Sequence, residues 1–142
     1  MRVLAVDPGL KHIGLAISDP TGAVARPLTT LRHHNRAADA ENIAAQARQH
    51  GAELVVMGHA LDSEGRPHES ARAAARLAEA LRTLVAAPVV LYDESFTSAT
   101  AAAALLATGK SRRARRENIH AAAAAALLQA YLDGHSGKAA PG

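Results

Sequence analysis

A chain of 142 residues with no internal change of composition predicts one domain built around a single core. It contains no cysteine, which excludes a disulfide framework and thiolate metal sites. We find no apolar run long enough to cross a bilayer, so we expect a cytoplasmic protein with no membrane partner. The formal net charge is +3, and much of the positive charge lies within residues 110–116.

The first predicted elements are two strands joined by a tight turn. Residues 3–6 form an apolar run that ends at Asp7-Pro8-Gly9, and a β-rich run, residues 13–18, follows after a few residues. So short a connection favours an antiparallel hairpin over a crossover helix. The hairpin leaves Asp7 at the end of a central strand, where its charge needs water, a metal ion or a hydrogen-bond donor.

A third strand and a first helix are predicted next. The strand, residues 23–31, contains Pro27, which lacks an N–H group and therefore indicates a sheet edge. Asn35 suits the N-cap of a helix that runs to about residue 50, and Gly51 suits the position after its end.

The middle of the chain predicts a strand, a helix and a further strand. Residues 54–57 form a short buried strand that ends at Gly58, and Pro67 suits the first position of the helix. Residues 89–92 predict another buried strand, followed by the acid pair at residues 93–94. The helix carries an apolar stripe at helical spacing, formed by Ala74, Leu77, Leu81 and Leu84.

The last part of the chain is predicted to be helical, with one break. We expect a short helix over residues 97–107, a flexible basic loop over 109–116, and a final helix over about 118–133. Residues 135–142 are predicted to be a disordered tail, which leaves a single domain over residues 1–134. One side of the final helix carries Ile119, Ala123, Leu127 and Tyr131.

This order of elements predicts an α/β fold with a mixed five-stranded sheet flanked by helices. The first three strands would be antiparallel, and the later strands parallel, because crossover helices feed them. The carboxyl ends of parallel strands meet at one edge of a sheet. We therefore expect Asp7 and Glu94 to converge there.

Two carboxylates at one edge repel each other unless a cation lies between them. Mg²⁺ and Mn²⁺ prefer oxygen ligands, and two ions about 4 Å apart can hold the attacking and leaving oxygens of a phosphodiester. The pair thus predicts a metal-dependent nuclease. A second interpretation stays open from the residues alone, in which Asp7 opens a turn and Glu94 caps a helix.

Four separated motifs, in order along nearly the whole chain, resemble those of one bacterial family. They are Asp7-Pro8-Gly9 with Lys11, Ile13-Gly14 and Ser18-Asp19-Pro20; Val55-Val56 with Gly58 and Gly65; Asp93-Glu94 with Thr97; and, after the basic segment, Leu128-Gln129 with Tyr131-Leu132-Asp133. The chain resembles the YqgF family, also called RuvX. That resemblance implies an RNase H-like fold and a nuclease described as acting on pre-16S rRNA or on Holliday junctions.

The resemblance also implies a metal site of three carboxylates. Asp7 and Glu94 match two of them, whereas His120 stands where the family has an Asp on the last helix. Because an imidazole suits Mn²⁺ better than Mg²⁺, we expect Mn²⁺ to be favoured. His120 could instead carry a proton or mark lost activity, and Glu117, three residues earlier, is an alternative ligand. Ser95 replaces a family arginine, which removes one candidate phosphate or carboxylate partner.

Basic residues near these acids predict contacts with phosphates. A cluster before the last helix would add affinity without sequence readout, and Lys11 would do the same beside Asp7. A solvated run of charges is the alternative. The cluster consists of Lys110, Arg112, Arg113, Arg115 and Arg116, and structural turns are expected at Gly9, Gly14 and Gly58.

The leading functional hypothesis is a metal-dependent nuclease acting on structured nucleic acid. The resemblance points to 5′-end processing of pre-16S rRNA in ribosome biogenesis. One alternative is a Holliday junction resolvase in DNA recombination and repair, which needs a dimer to cut two strands symmetrically. Another is a non-catalytic protein that binds nucleic acid or ribosomes. The sequence does not decide between pre-rRNA and branched DNA as the nucleic-acid partner. It does not decide between a monomer and a homodimer either. The remaining histidines, including His33, His34 and His59, lack the spacing of a zinc site and are expected at the surface.

Overall fold

A computed structural model describes residues 1–59, 69–93 and 112–135, and in this part of the chain three helices flank one mixed sheet. The predicted helix over residues 97–107 and residues 136–142 of the predicted tail lie outside the described residues. The strands are β1 (Val3–Pro8), β2 (His12–Ser18), β3 (Ala25–Arg32), β4 (Leu54–His59) and β5 (Val89–Asp93), and the helices are α1 (Arg36–Gln49), α2 (Glu69–Arg82) and α3 (Arg112–His135).

The sheet has the strand order β3-β2-β1-β4-β5. β2 pairs antiparallel with both β1 and β3, whereas β4 pairs parallel with both β1 and β5. The predicted α/β fold with an antiparallel start and parallel later strands is therefore confirmed. β3 lies at an edge, as Pro27 predicted.

Each face of the sheet has its own apolar core, because side chains alternate between the faces along a strand. In β1, Leu4 and Val6 belong to the core that contains residues of α1 and α2. Val3 and Ala5 belong to the second core, which contains residues of α3. Asp7 continues this second row, so its side chain is on the α3 side of the sheet.

The predicted ends of α1 are confirmed. The Asn35 side chain accepts a hydrogen bond of 2.8 Å from the Ala38 backbone N–H, which satisfies one of the unpaired donors at the start of the helix. Gly51 has a φ of 64°, the left-handed conformation that glycine adopts without steric cost.

Two predictions about buried residues need correction. α2 ends at Arg82, so Leu84 lies beyond the helix and is 37% exposed, although Ala74, Leu77 and Leu81 are buried as expected. β5 was predicted to be buried, but it forms an edge of the described sheet, and Leu91 is 41% exposed. An edge strand has one neighbour instead of two, which leaves part of its surface open.

The final helix is longer than predicted. It begins at Arg112, so residues 112–116 are helical, and the prediction of a loop over 109–116 was wrong for them. Alanine and arginine are strong helix formers, and no glycine or proline interrupts residues 112–133. Local propensity therefore extends the helix through a segment whose charge suggested a loop.

Side-chain contacts join α3 to both edges of the sheet. The Gln129 side-chain oxygen accepts a bond of 2.9 Å from the Ala25 N–H, and its nitrogen donates to the Ala23 carbonyl at 3.1 Å. The rings of Tyr92 and Tyr131 meet edge to face with centroids 5.5 Å apart. Among the described residues, no helix has the length and apolar character that a membrane span requires.

Asp19 organises the turn between β2 and β3. Its carboxylate accepts hydrogen bonds from the Thr21 hydroxyl and from the backbone N–H groups of Ala23 and Val24, the last two at 2.8 and 2.9 Å. The bonds from Thr21 and Val24 are the main reason that the pKa of Asp19 lies well below its usual range.

This carboxylate predicts a specific loss of stability in acid. Because the pKa of Asp19 is lower in the folded chain, its contribution is fully present above the unfolded value of about 4 and is lost as the pH falls towards the folded pKa. Asp19→Asn cannot ionise, so we expect it to lower the melting temperature near pH 7 and to differ less from the parent near pH 3. Thermal unfolding followed by circular dichroism at several pH values measures this, and an equal deficit at every pH would contradict it.

Candidate active site

The carboxyl end of β1 brings Asp7 next to β2. Asp7 and Gly14 are partners in the antiparallel register, one residue before the turn that begins after Pro8. The Asp7 side chain is half-buried on the α3 side of the sheet. A rigid central strand thus fixes one candidate metal ligand.

Gly14 is the point where α3 touches the sheet. A Cβ atom built on Gly14 would lie 1.9 Å from the backbone carbonyl oxygen of His120 and 2.3 Å from its carbonyl carbon. No side chain fits this gap, so only glycine lets the backbone of α3 approach so closely. The predicted turn role of Gly14 was therefore wrong, because the residue lies inside β2 and serves close packing.

This contact places His120 beside Asp7. Burial lowers the pKa of His120, the neighbouring His12 lowers it further, and the charge of Asp7 acts in the opposite direction. Asp7 is thus within electrostatic range of the ring. A lowered pKa favours the neutral imidazole near pH 7, and the neutral form has a nitrogen that can bind a metal ion or accept a proton.

His12 is a neighbour of the site that the sequence did not indicate. Its ring stacks on the ring of His120, with centroids 4.8 Å apart and planes 23° from parallel. The contact restricts the orientation of the His120 ring. The only signal in the sequence is the position of His12 at the start of β2, two residues before Gly14 on the same face of the strand.

Glu94, the other predicted acid, lies outside the described residues. The described part of β5 nevertheless approaches the same edge. Val6 pairs with Met57, and Met57 pairs with Leu91, so Tyr92 is level with Asp7 two strands away. That separation is about 10 Å across the sheet, and the chain leaves β5 at Asp93, immediately before Glu94.

The remaining predicted site residues have different places. Gly9 lies in the β1–β2 turn, where its N–H donates to the His12 carbonyl at 2.9 Å, whereas Gly58 lies inside β4 and not in a turn. Lys11 is exposed in the same turn as Gly9. Lys110 lies outside the described residues, and the backbones of Arg112, Arg113, Arg115, Arg116 and Glu117 lie in the first turns of α3.

The donor chemistry here fits a divalent cation in part. Asp7 supplies carboxylate oxygens and neutral His120 a nitrogen, a combination that suits Mn²⁺. Among the residues that the structure describes, no three His, Asp or Glu side chains gather closely enough to hold a metal ion. A complete site therefore needs a ligand from outside the described residues, and Glu94 is the predicted one.

One histidine has a side-chain partner that the sequence did not indicate. His33 is exposed, as predicted for a surface residue, and its Nδ1 is hydrogen-bonded to the carboxylate of Asp39, which is only 2% exposed. Asp39 also accepts a bond of 3.0 Å from the backbone N–H of His34. Spacing in the sequence gave no signal for this pair, because it joins the segment after β3 to the first turn of α1.

Comparison with solved structures identifies the architecture. RuvC from T. thermophilus, solved with a Holliday junction substrate, superposes with a TM-score of 0.56 at 20% identity and covers 96% of both chains. The resolvase of Fowlpox virus, solved with junction DNA, gives a TM-score of 0.61 at 11% identity over 96% of this chain and 99% of that one. These likenesses confirm the RNase H-like fold.

Sequence comparison identifies the family. Residues 1–134 match the family model described as "RuvX: Holliday junction resolvase". A protein of Moorella thermoacetica, named "Putative pre-16S rRNA nuclease", is 40% identical over 133 residues, which are 94% of this chain and 95% of the relative. A protein with the same name from Anaeromyxobacter sp. strain Fw109-5 is 40% identical over 134 residues, covering 94% of this chain and 98% of the relative. The chain therefore belongs to the RuvX family, also called YqgF, as its motifs predicted.

Proposed function

We propose that this protein is a metal-dependent nuclease that hydrolyses phosphodiester bonds in structured nucleic acid, and that it processes the 5′ end of pre-16S rRNA. The observation that carries the proposal is the position of His120 beside Asp7 at the carboxyl end of β1, fixed by the contact of α3 with Gly14. The names of the relatives that share 40% of their residues support the RNA substrate. A nuclease with this substrate works in the cytoplasm, and the family match over residues 1–134 supports a single domain with those bounds.

Asp7, Glu94 and His120 are the residues that would hold the divalent cation. A bound cation supplies charge neutralisation at the scissile phosphate and activation of the attacking water. Mn²⁺ is favoured over Mg²⁺, because His120 offers a nitrogen where a carboxylate would suit Mg²⁺ better. Glu117 is the alternative source of a carboxylate, since it precedes His120 by three residues in α3.

The other residues of the site bind and orient the strand. Lys11 is exposed in the turn that directly follows Asp7, so a phosphate held by its ammonium group lies close to the reacting bond. The arginines at the start of α3 precede His120 on the same helix, and Arg116 is four residues away, about 6 Å along the axis. His12 stacks on the ring of His120 and limits its rotation, so that one imidazole nitrogen of His120 stays directed at the cation.

A panel of substrates tests this function. Purified protein is incubated with end-labelled pre-16S rRNA, a four-way DNA junction and unstructured single strands, each with Mn²⁺, Mg²⁺ or a chelator. We expect cleavage of the precursor rRNA that requires the cation and that Asp7→Asn does not perform. Binding without cleavage at any Mn²⁺ concentration would instead support a non-catalytic role.

A junction resolvase is the second candidate function. It is favoured by the description of the family model and by the fold shared with two resolvases solved with junction DNA. Symmetric cutting of the four-way junction requires a dimer, because two active sites must act on two strands. Paired cuts in the DNA junction, together with a dimeric mass by light scattering, would support this candidate over rRNA processing.

The metal preference gives a further prediction. His120→Asp restores the carboxylate that the family usually has, so we expect Mg²⁺ to support cleavage better in the variant. The ratio of the Mn²⁺-supported rate to the Mg²⁺-supported rate should fall about ten-fold relative to the parent. His120→Ala should lose activity with both ions. If His120→Ala cleaves as fast as the parent, His120 is not a ligand.

A further inference from the structure

A cavity lies at the same end of the sheet as the candidate active site, on the face opposite His120. Its volume is about 380 Å³, which is within the range of small-molecule binding sites. Pro8 and Gly9, which directly follow Asp7, form part of its wall. The cavity therefore begins one residue from the candidate metal ligand.

One wall of the cavity is apolar. Ile13 from β2 and Ala74 and Leu77 from α2 line it, and all three are buried in the described part of the chain. Leu10 lies at its edge and is 88% exposed, so the largest part of this apolar side chain faces water. Such a wall fits a flat ring with little polarity on its faces.

The opposite side of the cavity is polar and basic. His33, Arg36 and Arg76 line it, and Asp39 is the only acid among the lining residues that the structure describes. Arg76 forms an ion pair with Glu69 at 2.9 Å. No hydrogen bond or ion pair joins the Arg36 side chain to any residue that the structure describes. Arg36 is thus the cation available to an anionic ligand.

The buried carboxylate of Asp39 sets the orientation of the His33 ring. One of its oxygens is bonded to His33 Nδ1 and the other accepts the His34 N–H at 3.0 Å, so each oxygen has a partner within the chain. The His33 ring is thereby fixed at the cavity with Nε2 left for a ligand. A fixed hydrogen-bonding group beside an apolar wall is the arrangement that orients a ring by its edge.

The cavity continues into a basic groove. Leu10 and His33 also line an adjoining cavity of about 400 Å³, whose other walls include Lys11 and Arg32. Cations therefore run from the turn after Asp7 to the mouth of the apolar cavity. This charge pattern complements a sugar-phosphate backbone that brings one of its bases to the cavity.

We propose that the cavity between the β1–β2 turn, α1 and α2 binds a nucleotide, with the base against Ile13 and Leu77, its edge at His33 Nε2 and its phosphate at Arg36. The nucleotide is an unpaired residue of the nucleic-acid strand, next to the cleaved bond, and this part rests on the proposed function. A free mononucleotide has the same chemistry, so the experiment separates the two sources.

The first part of the test measures nucleotide binding without cleavage. The four ribonucleoside 5′-monophosphates are titrated into the full chain by calorimetry. We expect saturable binding that Arg36→Gln and His33→Ala each weaken about ten-fold, the loss expected for one hydrogen bond to a charged group. Arg26→Gln is the matched control, because Arg26 is exposed on β3 near the opposite end of the β2–β3 ladder from Arg32, and we expect it to bind as the parent does.

The second part uses the strand itself. Removing the single base next to the cleaved bond should slow cleavage by the parent about ten-fold and should have a smaller effect on His33→Ala, which has already lost the contact with the edge of the base. That result supports a nucleotide of the strand, whereas binding of monophosphates with no effect of the missing base supports a free nucleotide. The proposal is overturned if monophosphates fail to bind and the missing base has no effect, or if Arg36→Gln and His33→Ala both behave as the parent. Monophosphate binding in a protein that cleaves nothing would refute the proposed function and leave the cavity assignment standing.

Discussion

Replacing Gly14 by alanine is expected to destabilise the protein and to displace His120. The added Cβ would lie 1.9 Å from the His120 carbonyl oxygen, which is backbone and cannot turn aside. α3 must therefore move away from β2. We expect a cost of about 3 kcal/mol, the upper end for overpacked sites, and a melting temperature lower by roughly 10 °C. Cleavage at a temperature where the variant is folded should also fall, because the ring of His120 moves relative to Asp7.

The chain offers a matched control for this substitution. Gly134 lies in α3, and a Cβ built there meets nothing within 4 Å. Gly134→Ala should leave cleavage unchanged and stabilise the helix by up to about 1 kcal/mol, because alanine has the higher helix propensity. Thermal melts and cleavage rates of both variants decide the matter. A Gly14→Ala protein that melts and cleaves like the parent would show that α3 does not rest on β2 at this point.

Asp7→Asn should abolish cleavage while leaving the fold intact. Asparagine has nearly the same shape as aspartate but lacks the charge that a divalent cation requires of its ligand. We expect the rate to fall by more than about 100-fold, since changes even outside the ligand shell of metal sites cost 10- to 100-fold. The melting temperature without metal should change little, and calorimetric titration with Mn²⁺ should show weaker binding.

Asp19→Asn makes the same chemical change elsewhere on the sheet. Asp19 holds the β2–β3 turn, at the end of β2 away from Gly14, so its variant should lose stability and keep its cleavage rate. The two variants thus separate a role in chemistry from a role in folding. If Asp7→Asn cuts as well as the parent, the measured activity belongs to another site or another protein.

Local signals in the sequence predicted much of the fold. Asn35 and Gly51 gave the ends of α1, because a side-chain cap and a left-handed glycine act on their immediate neighbours. Pro27 gave the edge position of β3, since a missing N–H excludes a central place. The start of α3 was missed because the charge of residues 112–116 was interpreted as a loop, although their helix propensity is high.

The candidate site was less predictable, because it depends on contacts between distant segments. A glycine inside a strand indicates a close approach without saying what approaches, so Gly14 was assigned to a turn. The stack of His12 on His120 and the bond between His33 and Asp39 arise only after α3 and α1 dock. The end of the first predicted strand indicated Asp7 and the family resemblance indicated His120, but the packing that brings them together is visible only in three dimensions.

The helix that carries His120 is the last described element of the chain, yet it covers the first strands to be synthesised. A protein emerges from the ribosome with its N-terminal part first. Val3, Ala5 and Ala16 therefore remain uncovered by α3 until residues 112–135 have been synthesised. The same order separates Asp7 from His120 until α3 packs on β2, so these two candidate metal ligands come together only when the tertiary structure forms.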